Sequence, residues 1–286
     1  MKDIESLVEN CILCGHRCGV NRLKGERGVC RAGRYAKISS FGPHFGEEPE
    51  LVGRRGSGTI FFSFCNLKCM FCQNYEISQF AEGKEVSDEQ LAEIMLYLQR
   101  IGCENINLVS PTHFLYPISR AIEMARKKGL VLPIVYNTGG YDSEEAIDAL
   151  RGKIDIYMPD AKYADSKLAE ELSGAKDYPV LNRKILKKMH DQVGDLLVEN
   201  GIAIKGLLIR HLVLPGYLEN SFKVLSFIAK EIGKNTYVNI MDQYYPSYKA
   251  RGHPFLGRRL HVEEYQKVIE YARKLGLHRG FEVVVR

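Results

Sequence analysis

No apolar run in this sequence is long enough to cross a bilayer. Runs such as Leu212-Val213-Leu214 fall far short of the roughly 20 residues a spanning helix needs. Met1 is followed by Lys2-Asp3-Ile4-Glu5 instead of an apolar stretch, so no secretory leader is expected there. No basic run reaches the length of a polycationic arm. A net charge of +5 over 286 residues is mild and scattered, so neither nucleic acid nor a membrane is an expected partner. No G-x-G-x-x-G follows the first strand-like segment, which weighs against a dinucleotide fold. With 45% apolar and 26% charged residues, the chain reads as a cytoplasmic enzyme with one large α/β domain and a small appendage.

Eight cysteines are present, and in a reducing compartment clustered cysteines point to metal rather than to disulfides. Four lie near the N-terminus, three in one central stretch, and Cys103 stands alone. The central three, Cys65, Cys69 and Cys72, follow the β-branched and aromatic run Gly58 to Phe64, whose length suits a buried strand. Their C-x3-C-x2-C spacing puts three soft ligands on one short loop at a strand end. Three thiolates can share one iron–sulfur cube and leave its fourth iron without a protein ligand, an open position of the kind that marks catalytic metals. The plainer alternative, a zinc knuckle completed from afar, usually offers paired C-x2-C units.

Cys11, Cys14, Cys18 and Cys30 are interleaved with Gly15, Gly19, Gly25 and Gly28, which let a chain wrap tightly around a metal. Four thiolates close a tetrahedral zinc site or complete a second [4Fe–4S] cluster, and both readings stay open. Residues 1–57 are therefore expected to form a cysteine-rich module with a connection, and residues 58–286 the main domain.

From Gly58 onward, six strand-like segments alternate with helical ones. The strands are expected near 58–64, 105–110, 132–138, 154–160, 206–214 and 237–243, with one long helix from Tyr178 to Asn200. Alternation of this kind implies a parallel sheet, either an open doubly wound sheet or a curved partial barrel. In such folds the chemistry gathers at the carboxyl ends of the strands. Those ends carry Ser110-Pro111-Thr112-His113, Asn137-Thr138, Asp160-Ala161-Lys162 and Arg210-His211. Lys162 can meet a carboxylate as a compact charge and Arg210 can clamp one through two bonds, while His113 suits acid–base work near neutral pH.

The cysteine triplet, with Phe71 before its last member, resembles the signature of radical S-adenosylmethionine (SAM) enzymes. Asp160-x-Lys162 and the Arg210 strand ending in Leu214-Pro215-Gly216 resemble the pyruvate formate-lyase activating enzyme group, more closely its relatives with four cysteines before the SAM-cluster loop. The resemblance implies a (β/α)6 partial TIM barrel, a [4Fe–4S] cluster on Cys65, Cys69 and Cys72, and SAM on its open iron. It also implies that Ser110, Thr112, Asn137, Thr138, Asp160, Lys162 and Arg210 lie near SAM. A one-electron donor such as ferredoxin or flavodoxin is implied, with a glycyl radical enzyme as possible protein substrate. A small metabolite, a peptide or another protein side chain is the alternative substrate, and a non-catalytic iron–sulfur or zinc adaptor the third reading. One departure stands out: most relatives carry a G-G-E-P-type motif where this chain has Ser110 to His113.

Overall fold

Ser57–Phe62 forms β2, and its side chains are buried on both faces, as a central parallel strand requires. In the computed structural model, which describes residues 3–281, five more strands join it in parallel. They are β4 (Ile106–Val109), β5 (Ile134–Thr138), β6 (Ile156–Pro159), β8 (Ile202–Leu212) and β9 (Tyr237–Met241), side by side in that order. A single helical turn, α3 (Tyr75–Ser78), follows the cysteine loop. The crossovers run through α4 (Asp88–Arg100), α5 (Leu115–Lys127), α6 (Glu144–Ala149), α7 (Ser166–Ser173), α8 (Tyr178–Val193) and α9 (Leu218–Phe227), and α10 (Val262–Lys274) follows β9. This is the expected (β/α)6 partial barrel. No helix among the described residues is long and apolar enough to cross a membrane.

Two apolar layers hold the barrel. Outside, helix faces such as Leu91, Met95 and Leu98 of α4 pack against Ile60, Ile106 and Leu108 of the strands. Inside, Val135, Ile156, Met158, Leu208 and Tyr237 fill the end of the barrel away from the carboxyl ends, together with Leu51. Leu51 belongs to α2 (Pro49–Val52), which crosses the barrel floor.

The structure adds four elements to the expected pattern. Residues read as a connection contain β1 (Ala36–His44), antiparallel to β2 and to the short β3 (Lys84–Val86). Its period-two burial of Ala36 and Ile38 fades into Gly42-Pro43, and Pro43 is tolerated because that half of β1 is an edge. The long helix expected to Asn200 stops at Val193, where Gly194 takes φ 74°. Beyond it β7 (Leu197–Glu199) turns through Asn200-Gly201, both at positive φ, into β8. Asn-Gly between two strands is a hairpin signal that the helical reading passed over. At the amino end, α1 (Ile4–Glu9) shares the main core through Leu7 and Val8, and Arg34 grips the buried Asp88 with two bonds of 3.1 and 2.8 Å.

Close packing at the strand ends makes one glycine indispensable. Gly140 follows β5 at φ 76°, and a Cβ there would lie 2.1 Å from the Asp160 carbonyl and 2.4 Å from Asn182. Gly140→Ala combines left-handed strain of about 1–2 kcal/mol with overpacking of about 1–3 kcal/mol, so unfolding stability should fall by their sum. Gly129 has φ 95°, and a Cβ at that position would meet nothing within 4 Å. Gly129→Ala should therefore lose only the strain part. Urea unfolding of both variants checks the difference; equal losses would show that the contact at Gly140 gives way.

Candidate active site

Beyond β2 the chain turns at Phe64, whose φ of 69° is left-handed. A bulky residue holds that conformation only where its surroundings enforce it. Here the Phe64 N–H donates to the Ile77 carbonyl at 3.0 Å, and the loop that follows is tied to the end of α7. Lys68 N–H reaches Ser173 O at 3.0 Å and Met70 N–H reaches Leu172 O at 2.8 Å. The loop presents Cys65, Cys69 and Cys72 to the barrel mouth. Each sulfur has a polar neighbour: Leu67 N–H on Cys65 at 3.4 Å, the Ser173 hydroxyl on Cys69 at 3.0 Å, and Ser78 Oγ beside Cys72 at 3.2 Å. Burial pushes the bare Cys65 thiol up to about 12. The thiolate form therefore needs a metal or a cation to hold it.

A cavity of about 260 Å³ opens below this loop at the carboxyl ends of the strands. Its walls include all three cysteines together with Ser110, Asn137, Thr138, Asp160, Lys162 and Arg210, so nine of the residues singled out in the sequence meet there. A larger groove of about 580 Å³, beside Leu168 and Tyr217, holds none of them.

Opposite charges organise that cavity. Lys162 Nζ lies 2.5 Å from Asp160 Oδ2, and Arg210 Nε lies 3.3 Å from Asp160 Oδ1. Burial alone would raise the Asp160 carboxyl, but Lys162 and then Arg210 outweigh it and hold it below its ordinary value. Arg210 also donates to Asn137 Oδ1 at 2.6 Å and faces Glu47 at 3.4 Å. Each of the three guanidinium nitrogens thus has a protein partner, while each terminal nitrogen keeps a second N–H. Lys162 keeps donors to spare.

The backbone around the charges is braced from behind. The Tyr178 hydroxyl contacts the Gly139 and Asp160 carbonyls at 2.9 and 2.8 Å and accepts the Lys162 N–H at 3.1 Å. Asn182 donates to Gly140 O and Asp160 O. His211 is buried, and burial lowers its pKa to about 4. Its Nδ1–H therefore donates to Ala161 O at 2.6 Å while Nε2 accepts from Ser221 at 2.8 Å. Of these braces His211 was noted at its strand end in the sequence, whereas Tyr178 and Asn182 were not singled out, although their spacing of one helical turn on α8 carried the signal.

Three sequence expectations need correction or refinement. Ser110 lines the cavity and takes φ 57°, the left-handed conformation that a glycine of the G-G-E-P-type motif would adopt easily. Thr112 does not line it; its hydroxyl pairs with Thr138 Oγ1 at 3.1 Å, and Thr138 in turn donates to the buried Asp142. His113 is also turned away: its ring is buried, with Nε2 donating to the Ser63 carbonyl at 2.8 Å. Burial lowers its pKa to about 3, so it stays neutral and outside the cavity, and the acid–base role expected of it does not fit this position.

Sequence inspection also passed over Glu47 and Glu48, which reach up from the floor segment. Glu48 accepts from Asn239 at 2.7 Å, and its other oxygen has no partner among the described residues. Asn107, fully buried on the same inner face as Val109, lies beside the Glu47 carboxylate. Two adjacent carboxylates before Pro49, in a segment taken for a connection, were the available signal.

Comparison with known proteins agrees with this geometry. The radical SAM superfamily profile matches residues 59–228. The chain is 36% identical over 283 residues to the uncharacterized protein MJ0674 of Methanocaldococcus jannaschii, covering 96% of this chain and 77% of that one. It is 25% identical to MJ0808 of the same organism, covering 96% and 79%. Among solved structures, Streptococcus suis SuiB bound to the precursor peptide SuiA superposes with a TM-score of 0.52 at 16% identity, over 74% of this chain and 43% of that one. Native anSMEcpe with bound AdoMet and Kp18Cys peptide gives 0.51 at 14% identity, over 74% and 57%. The chain thus spans about half the length of these solved structures, and the likeness to them speaks for the fold alone. With more than half its length matched by the profile and a relative at 36% identity along nearly all of it, the chain belongs to the radical SAM superfamily.

Proposed function

We propose that this protein cleaves SAM reductively at a [4Fe–4S] cluster on Cys65, Cys69 and Cys72 and abstracts hydrogen from a substrate in the adjoining cavity. The observation that carries this reading is the convergence of three soft thiols with the Asp160, Lys162 and Arg210 charges on one 260 Å³ space. The donor set fits: three thiolates satisfy three irons and leave the fourth for the amino and carboxylate groups of SAM. When bound, cluster and SAM together supply the one-electron chemistry that breaks the C5′–S bond and yields a 5′-deoxyadenosyl radical.

The chain's own residues do the placing. Lys162, with donors left over from Asp160, meets the methionine carboxylate. Arg210, bonded to Asp160, Asn137 and Glu47, fixes the height of β8 against β5 and β6. Ser110 offers its hydroxyl and the backbone after it to the amino group. Phe71, Leu212 and Met241 add apolar wall that keeps water from the reacting carbon. An external donor of the ferredoxin or flavodoxin kind supplies the electron.

For the substrate, the Asp160-x-Lys162 and Arg210 pattern favours an activating-enzyme-like reaction on a glycyl radical partner. A second reading, a small polar metabolite or a peptide side chain, has its own support in Glu48, one of whose buried carboxylate oxygens has no partner among the described residues. Deuterium transfer from labelled candidates into 5′-deoxyadenosine separates the two.

Lys162→Ala should weaken SAM binding by about ten- to a hundredfold, the loss of one charge-assisted contact of about 1.5–3 kcal/mol. Unchanged affinity in a variant that folds normally would remove Lys162 from the SAM site. Cys69→Ala should abolish both the EPR signal of the reduced SAM-bound cluster and the formation of 5′-deoxyadenosine. Either one persisting at the parent's level would sink the assignment of the triplet.

A further inference from the structure

The other four-cysteine group lies against the back of the cysteine loop. Three of its four sulfurs accept an N–H. Arg22 donates through Nε to Cys11 at 3.0 Å and through a terminal nitrogen to Cys30 at 3.0 Å. Val29 N–H lies 3.5 Å from Cys18. Gly28 permits this arrangement, since a Cβ there would sit 2.6 Å from the Cys18 sulfur. Arg22 is only 2% exposed, and its remaining contacts are the carbonyls of Ala32 and His113 at 3.3 and 3.0 Å.

A guanidinium taken out of water needs an anion beside it, because a buried ion left unpaired is strongly destabilising. Backbone carbonyls carry no charge, and neutral thiols accept hydrogen bonds only weakly. The sulfurs of Cys11 and Cys30 are the groups placed to supply the charge, and they supply it only as thiolates. Neighbouring thiolates repel each other unless a metal draws them together, and their deprotonation is what metal binding provides. A disulfide would leave Arg22 facing neutral sulfur.

We infer that Cys11, Cys14, Cys18 and Cys30 form one four-thiolate metal site, and that Arg22 is its built-in counter-cation and positioning residue. Zinc and a [4Fe–4S] cube both leave four thiolates net anionic, so Arg22 suits either. The site also has a mechanical consequence. The Arg22 contact to His113 O continues through the His113 ring to Ser63 O, one residue before the strained Phe64. His16 Nε2 meets the Asn66 carbonyl at 2.8 Å, inside the cysteine triplet itself. A filled site therefore buttresses the loop that presents Cys65.

The test uses full-length protein with Cys65, Cys69 and Cys72 all replaced by Ala, purified without oxygen. Metal and acid-labile sulfide are counted. Stoichiometric zinc, or iron with sulfide, supports the site and tells the two apart. Neither metal, or a Cys11–Cys30 disulfide, overturns it. In the same background, chelator competition should strip metal from Arg22→Met about ten- to a hundredfold more easily than from the parent, the usual scale for a lost outer-sphere partner. Arg22→Lys, which keeps the charge but not the fork, should lose less. Equal retention in Arg22→Met and the parent overturns the role of Arg22. If the metal is iron, the Arg22→Met cluster should also show a shifted reduction potential. Failure of SAM cleavage in the parent would count against the proposed reaction and leave these metal measurements standing.

Discussion

Asp160 is the charge around which the rest of this structure is arranged. A carboxylate at the end of a buried strand is tolerated only with partners, and it has Lys162 two residues away and Arg210 across β6 and β8. That pairing dictates the neighbours. Arg210 can reach Asp160, Asn137 and Glu47 together only if β5, β6, β8 and the floor segment stand at fixed heights. The Asp160 carbonyl is held from behind by Tyr178 and Asn182, which leaves room at Gly140 for no side chain at all. His211 secures the Ala161 carbonyl from the other direction. Chemistry at this point is therefore built on rigid elements, with an outer shell that fixes each inner group.

Strain is concentrated in the same region. Phe64 and Ser110 are non-glycine residues in left-handed conformation, and both sit directly past the ends of strands that open onto the cavity. Such conformations cost about 1–3 kcal/mol each and persist where surrounding structure over-determines them. At Phe64 the strain aims the cysteine loop across the barrel mouth. At Ser110 it bends the chain so that this residue enters the cavity wall while Thr112 and His113 pass behind the sheet. One backbone angle thus separates a wall residue from two that are merely buried.

That angle also explains what sequence inspection could and could not see. The six parallel strands were legible because each is an apolar run closed by turn residues, and a three-cysteine spacing is a local fact that survives any tertiary arrangement. Asp160, Lys162 and Arg210 were legible because strand periodicity fixes which residue ends up at the carboxyl edge. Thr112 and His113 were not, since the direction of a side chain after a left-handed turn is set by packing that no linear pattern records. β1 escaped because Gly42 and Pro43 obscure its alternation, and Glu47 and Glu48 escaped with it. The helix read through to Asn200 failed for a simpler reason: Gly194 and Asn200-Gly201 are stop and hairpin signals that an apolar count outvoted.

The cysteine-rich residues look like a separate module in sequence, yet physically they share the apolar layer between the barrel's strands and its helices. Leu7, Val8 and Ile12 lie in the same apolar cluster as Ile106, Leu108 and Ile134. Lys68, on the cysteine loop, lies near Cys30 as well as near Cys65 and Cys69. Burial lowers its pKa, and the neighbouring Arg31 pushes it the same way. The two cysteine groups are joined through the protein, since His16 bonds the Asn66 carbonyl and Arg22 reaches the Ser63 carbonyl by way of His113. The N-terminal residues are therefore packed and hydrogen-bonded against the segment that carries the triplet, and the fold is continuous across the boundary at residue 58.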